Sequence, residues 1–220
     1  AIYNYNSTIE NIKQSLFDNN KAKGNGGAIF NIGKIGNIEG AFTNNTTENG
    51  QGGAIYNNSA NIGDITKSLF DNNKSSWEGG AIFNSDASIG NIEGGFSNNS
   101  TSQGQGGAIY NNRAKIGNIT KSFFVNNKAK SNGGAIFNNN STIGNIEGDF
   151  ANNVTETGQG GAIFNNNSTI KNITGSFDGN FALNYGGGIW NDSTIGNIKG
   201  NFSNNVSGKE GGAIWNIGKI

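Results

Sequence analysis

The side chains that could do chemistry in this 220-residue chain are carboxylates, lysines and one arginine, because His, Cys, Met and Pro are all absent. Without thiolates or imidazoles there are no disulfides, no soft or imidazole metal sites, and no His-dependent acid–base catalysis. Acidic groups recur in one column with other residues: Lys13, Glu39, Thr66, Glu93, Thr120, Glu147, Thr174 and Lys199. If successive turns of chain stack at about 4.8 Å, the three glutamates stand roughly 9.6 Å apart. That is too wide to share a metal or a proton, although glycoside hydrolysis can use carboxylates at comparable separations. Such a site needs a groove and unique residues, whereas this column is a repeat whose alternation relieves like-charge repulsion. A polysaccharide lyase or hydrolase would gather Asp with Arg or Lys, but Arg113 is the sole Arg. Asp18, Asp64, Asp71, Asp86, Asp149, Asp178 and Asp192 are scattered along the chain. The expectation is a non-enzymatic protein with no catalytic residue, no metal and no cofactor.

What positions these residues is a repeat. Gly-Gly-Ala-Ile-aromatic-Asn returns throughout, with its third residue at 1, 28, 54, 81, 108, 135, 162, 188 and 213, an interval of 25 to 27 residues. A period of that length, rich in Gly and β-branched residues, reads as one turn of a solenoid. A helical solenoid fails because 37 of 220 residues are Gly and no window keeps a 3.6-residue apolar stripe. Taking 135–161 as the unit, three strand-like pieces emerge: Ala135 to Asn138, Ile143 to Ile146 and Glu147 to Asn153, separated by turn formers. Three short strands per turn predict an all-β, right-handed parallel β-helix of about eight rungs, one continuous domain over residues 1–220.

Strand parity then assigns faces. Ile29, Ile55, Ile82, Ile109, Ile136 and Ile163 share a face with Asn31, Asn57, Asn84, Asn111, Asn138 and Asn165. With that face inside, the Ile column joins the core and the Asn column forms an amide ladder along the axis. A buried Asn without its partner would cost a few kcal/mol. Phe17, Phe42, Phe70, Phe96, Phe124, Phe150, Phe177 and Phe202 each open a Phe-x-x-Asn whose Asn offers a second ladder. The Gly pairs mark a corner of close backbone approach or positive φ. A phosphate cradle would need Lys-Ser/Thr and a helix after them, and neither follows.

Two rung types alternate. Lys-Ser-aromatic/Leu-Phe-x-Asn-Asn-Lys stands at 67–74 and 121–128, and Glu-Gly-x-Phe-x-Asn-Asn at 39–45, 93–99 and 147–153, a two-rung super-repeat. The residue between Ile and Asn is always aromatic: Tyr3, Phe30, Tyr56, Phe83, Tyr110, Phe137, Phe164, Trp190 and Trp215. With Ile inside, these nine stack outside in a strip spanning about 40 Å, larger than a soluble monomer leaves bare. It is a candidate strip for packing against another solenoid, for sugar rings or for a host surface. Reversed parity, with the aromatics in the core, is the alternative.

With both motifs located, the chain resembles the repeat passenger domains of autotransporters, most closely the chlamydial polymorphic outer-membrane proteins defined by GGA-Ile/Leu/Val and Phe-x-x-Asn. GGAI stands at 26–29, 52–55, 79–82, 106–109, 133–136, 160–163 and 211–214, with GGGI at 186–189. The resemblance implies an extracellular, bacterial cell-surface adhesin, stalk or fibre, exported through a C-terminal barrel. The variability of the residue after GGAI in that family supports Ile inside.

Fifteen basic and fifteen acidic residues cancel, and no basic run is dense enough to neutralise a phosphate backbone, so nucleic acid is not expected as a partner. No apolar run spans a bilayer, so direct membrane insertion of this segment is not expected either. The expected partners are the chain itself or a host-surface ligand. Because the segment begins and stops inside a motif, it reads as a slice of a longer solenoid or as a unit that stacks end to end into a filament. An ice-binding solenoid is a further alternative, although Thr8, Ser88, Thr142, Thr169 and Thr194 form no regular Thr-x-Thr array.

Overall fold

A rung can close only if its Gly pair lets the chain turn sharply, and the first glycine of every pair does so at φ between 64° and 69°. The computed structural model describes residues 1–220 and is a helix-free β-solenoid of about eight turns, its paired strands parallel. In one rung the chain runs through strands Ile109–Asn112, Lys115–Ile116, Ile119–Val125 and Lys128–Ala129. The next supplies Ile136–Asn139, Thr142–Ala151 and Val154–Thr155. Like residues fall in register, with Ile109 against Ile136, Asn111 against Asn138, Ile116 against Ile143 and Phe124 against Phe150.

The two-residue strands that follow each Phe-x-x-Asn form an eight-stranded sheet of their own. Two residues carry too little alternation to be legible as a strand in the sequence. The third strand stops at Ala151 rather than at the expected Asn153, because Asn152 turns the chain at φ 54°.

Parity puts Ile inside. Ile29, Ile55, Ile82, Ile109, Ile136 and Ile163 are fully buried in one continuous core with the paired isoleucines and the Phe column. Consecutive rings from Phe17 to Phe202 stack with centroids 4.7–4.8 Å apart, the spacing of paired strands.

Two amide ladders run through this interior. Asn31 Nδ2 donates to Asn57 Oδ1 at 2.8 Å, and the relay continues through Asn84, Asn111, Asn138 and Asn165. In the Phe-x-x-Asn ladder, Asn127 Nδ2 donates to Asn153 Oδ1 at 3.0 Å and to the Phe96 carbonyl at 2.9 Å. Its Oδ1 accepts from both the backbone N–H and the Nδ2 of Asn99. Both donors and the acceptor are therefore engaged, which is how the column tolerates complete burial.

The two rung types differ by a backbone bulge. Between Ile119 and Ser122 the chain has one residue more than its neighbour has between Ile146 and Gly148. The extra residue is accommodated with Lys121 at φ 47°, as with Gln14 and Lys67. In the other rung type, a Cβ on Gly94 would lie inside the Ser68 carbonyl oxygen, so glycine is required there.

Candidate functional site

The aromatic column lies outside the core, on the opposite face of the first strand from Ile, but it is not bare. Tyr56, Phe83, Phe137, Phe164 and Trp190 are only 5–8 % exposed, and Phe30, Tyr110 and Trp215 are half-buried, whereas Tyr3 is 70 % exposed. Each ring is sandwiched between its neighbours, at 4.9 Å for Tyr110 on Phe137 and 4.2 Å for Phe164 on Trp190. Polar columns run on both sides. The residue before the Gly pair supplies one, where Asn25 Oδ1 accepts from the Gln51 backbone N–H and Gln51 Nε2 donates to Glu78 Oε2. From Tyr56 to Trp190 the residue two beyond the aromatic supplies the other, where Asn166 donates to Asn139 and Asn139 to Asn112. A sugar ring needs an open aromatic face, and inside this stack both faces are occupied.

Burial, reinforced by the Glu78 carboxylate, pushes the Tyr110 phenol up to about 12. Its unfolded value is near 10, so the linked stability is intact below about pH 10 and is lost as pH rises toward 12. Absorbance at 295 nm should show a late ionisation near pH 12 that Tyr110→Phe removes. Complete titration of every tyrosine by about pH 11 would contradict this packing.

The carboxylates are dispersed and several are engaged. Asp86 receives a bidentate contact from Arg113, with 2.8 Å to Nε and 2.7 Å to Nη2, and this guanidinium holds its carboxyl below the usual range. Glu156 bridges Lys128 and Lys130 and is drawn down to about 2 by these contacts. Asp18 accepts from Thr43 and Asn44, and Asp178 from Ser203 and Asn204. Glu93 faces Lys121 at 3.6 Å rather than a second acid.

Two outer features carry only a faint signal in the sequence. The first is a ridge of Leu16, Leu69 and Phe123, 70, 40 and 43 % exposed, on alternate rungs. Ala41 and Gly95 lie between them in register, and the Phe123 ring occupies the space a Cβ on Gly95 would fill. The signal was the residue before each Phe, visible once the bulge aligns the two rung types. The second is a groove of about 1000 Å³ along the corner between the first two strands, lined from Asp86 and Ser88 through Arg113 and Lys115 to Thr194. Its signal was the recurring Asn-Ser-Thr tripeptide at 140–142 and 167–169, with Asp-Ser-Thr at 192–194.

A stack of alternating, closely similar rungs with two internal amide ladders defines a repeat β-solenoid. The model of the Chlamydia polymorphic membrane protein repeat matches residues 14–32, 40–60, 67–85, 96–112, 121–139 and 200–217, just over half of the chain. Each match spans a Phe-x-x-Asn turn and all or most of the Gly-Gly-Ala-Ile-aromatic-Asn strand after it. The chain belongs to this family of repeats and is, in that broad sense, a surface-associated, autotransporter-passenger-like protein. No curated protein and no solved structure matched it.

Proposed function

We propose that this chain is a non-enzymatic adhesive rod, displayed at a bacterial cell surface, that binds a host or cell-surface partner through its outer faces. The observation that carries the reading is the Leu16–Leu69–Phe123 ridge, three large apolar side chains held in water along one column of alternate rungs. Exposed contiguous apolar surface on a rigid frame favours partner contact. The ladders and the stacked Phe column supply the rigidity, so the ridge is presented without an ordering cost on binding. Family membership supports the surface setting.

The test is binding of the fluorescently labelled protein to cultured epithelial cells, comparing wild type with the Leu69→Asn/Phe123→Asn double variant. Both side chains project into solvent, so the solenoid should be retained, as checked by circular dichroism. Loss of at least about tenfold in apparent affinity is expected from removing two apolar anchors. Unchanged binding by a folded variant would reject the ridge as the adhesive face.

A further inference from the structure

The groove carries a second site, independent of the adhesive reading. Its floor and walls have different chemistry. On the floor, Ser141 and Ser168 are buried and used up internally: each hydroxyl accepts a backbone N–H of the preceding rung at 3.0 Å and donates to a carbonyl, at 2.7 and 2.6 Å. Each wall residue flanks a floor serine in sequence. Asn140 and Asn167, at φ 49° and 47°, stand on one wall. Thr142, Thr169 and Thr194 stand in register on the other. Asn140, Asn167, Thr142 and Thr169 are exposed, and neither those side chains nor the Thr194 hydroxyl engage in any internal hydrogen bond. Over the Ser141 and Ser168 rungs the groove therefore presents two parallel rails of uncharged donors and acceptors, repeating with the strand spacing of about 4.8 Å, with Arg113, Lys115 and Asp192 on the flanking rungs.

We propose that this groove binds an extended, uncharged β-1,4-linked glycan lying along the solenoid axis. One rung is close to the length of one hexose, and because successive β-1,4-linked sugars alternate by roughly 180°, their two hydroxyl edges face the Asn wall and the Thr wall in turn. An extended peptide rises about 3.3 Å per residue and falls out of register with the rungs. The only apolar lining side chains are Ala87 and Ala114, which leaves no pocket for peptide anchors. Arg113 is tied to Asp86, and the two rungs built on Ser141 and Ser168 carry no charge on either wall, although Lys115 on the rung before them lines the groove without an ion partner.

The experiment is titration of the isotope-labelled protein with cellohexaose and with cellobiose, followed by amide shift mapping and calorimetry. Saturable shifts confined to the wall residues and their neighbours are expected, with cellohexaose tighter than cellobiose by at least tenfold. Thr142→Ala/Thr169→Ala, which removes two groups without internal partners, should weaken cellohexaose binding by roughly tenfold. Asn140→Ala should give a smaller loss. Absence of saturation, shifts on another face, or unchanged affinity in the folded double variant would overturn the proposal. Cell binding by the same variant keeps the two readings apart, since retained adhesion without glycan binding rejects only the groove.

Discussion

Gly107→Ala is expected to lower the thermal midpoint of the solenoid by roughly 10 °C, the shift that about 4 kcal/mol produces in a domain of this size. A Cβ there would sit inside the Gly134 carbonyl oxygen of the next rung and against the backbone of Lys128, so no side-chain adjustment can relieve it. The rung spacing itself must open, and with it the ladder bond from Asn111 to Asn138 at 2.8 Å. The fault is therefore felt on both sides of the substitution. Gly24→Ala is the control, because nothing lies within 4 Å of its Cβ position, its φ is not positive and the residue is exposed. Differential scanning calorimetry of the two variants decides the matter. A shift of less than about 2 °C for Gly107→Ala would mean that the rungs are not in contact at this corner.

Asn111→Ala should be nearly as damaging. It deletes an amide that accepts from Asn84 Nδ2 and donates to Asn138 Oδ1, both at 2.8 Å and both fully buried. Two orphaned polar groups at about 1–3 kcal/mol each predict a loss of roughly 2–6 kcal/mol by chemical denaturation. Asn111→Asp separates this account from a simple packing effect. An ionised carboxylate keeps the acceptor for Asn84 but turns a second oxygen on the Asn138 acceptor, in a fully buried site. Burial and that repulsion raise its folded pKa above the unfolded value, so the lost stability returns as pH falls and the protonated acid donates to Asn138. If Asn111→Asp shows the same pH dependence as wild type, the ladder is not a chain of hydrogen bonds.

Much of this was legible because the repeat forces like residues into register. An invariant Ile two residues before an invariant Asn fixes a strand face, and a buried Asn is tolerable only beside another. The Phe-x-x-Asn ladder follows by the same reasoning, although the Asn reaching back to the carbonyl of the preceding rung's Phe could not be read from spacing. The bulge was illegible as a bulge. It appears in the sequence only as Lys-Ser exchanging with Gly, and Lys67 and Lys121 at φ 47° are residue types that do not announce a left-handed turn.

The sequence by itself determined the inward columns, the number of rungs and the two-rung period, since each follows from parity and register that every turn repeats. Tertiary structure decided what remains accessible. The aromatic strip is covered by its own stacking and lies between amides on either side, while the corner at Ser59, Asp86, Arg113, Asn140 and Asn167 bends each rung through a single residue at φ 47–51°. Those five positions hold four residue types, so the bend has no single signature, and the groove beside it exists only where the walls of neighbouring rungs align. A period of two states which face of a strand a side chain takes. What folds across that face depends on the path of the backbone at the corners.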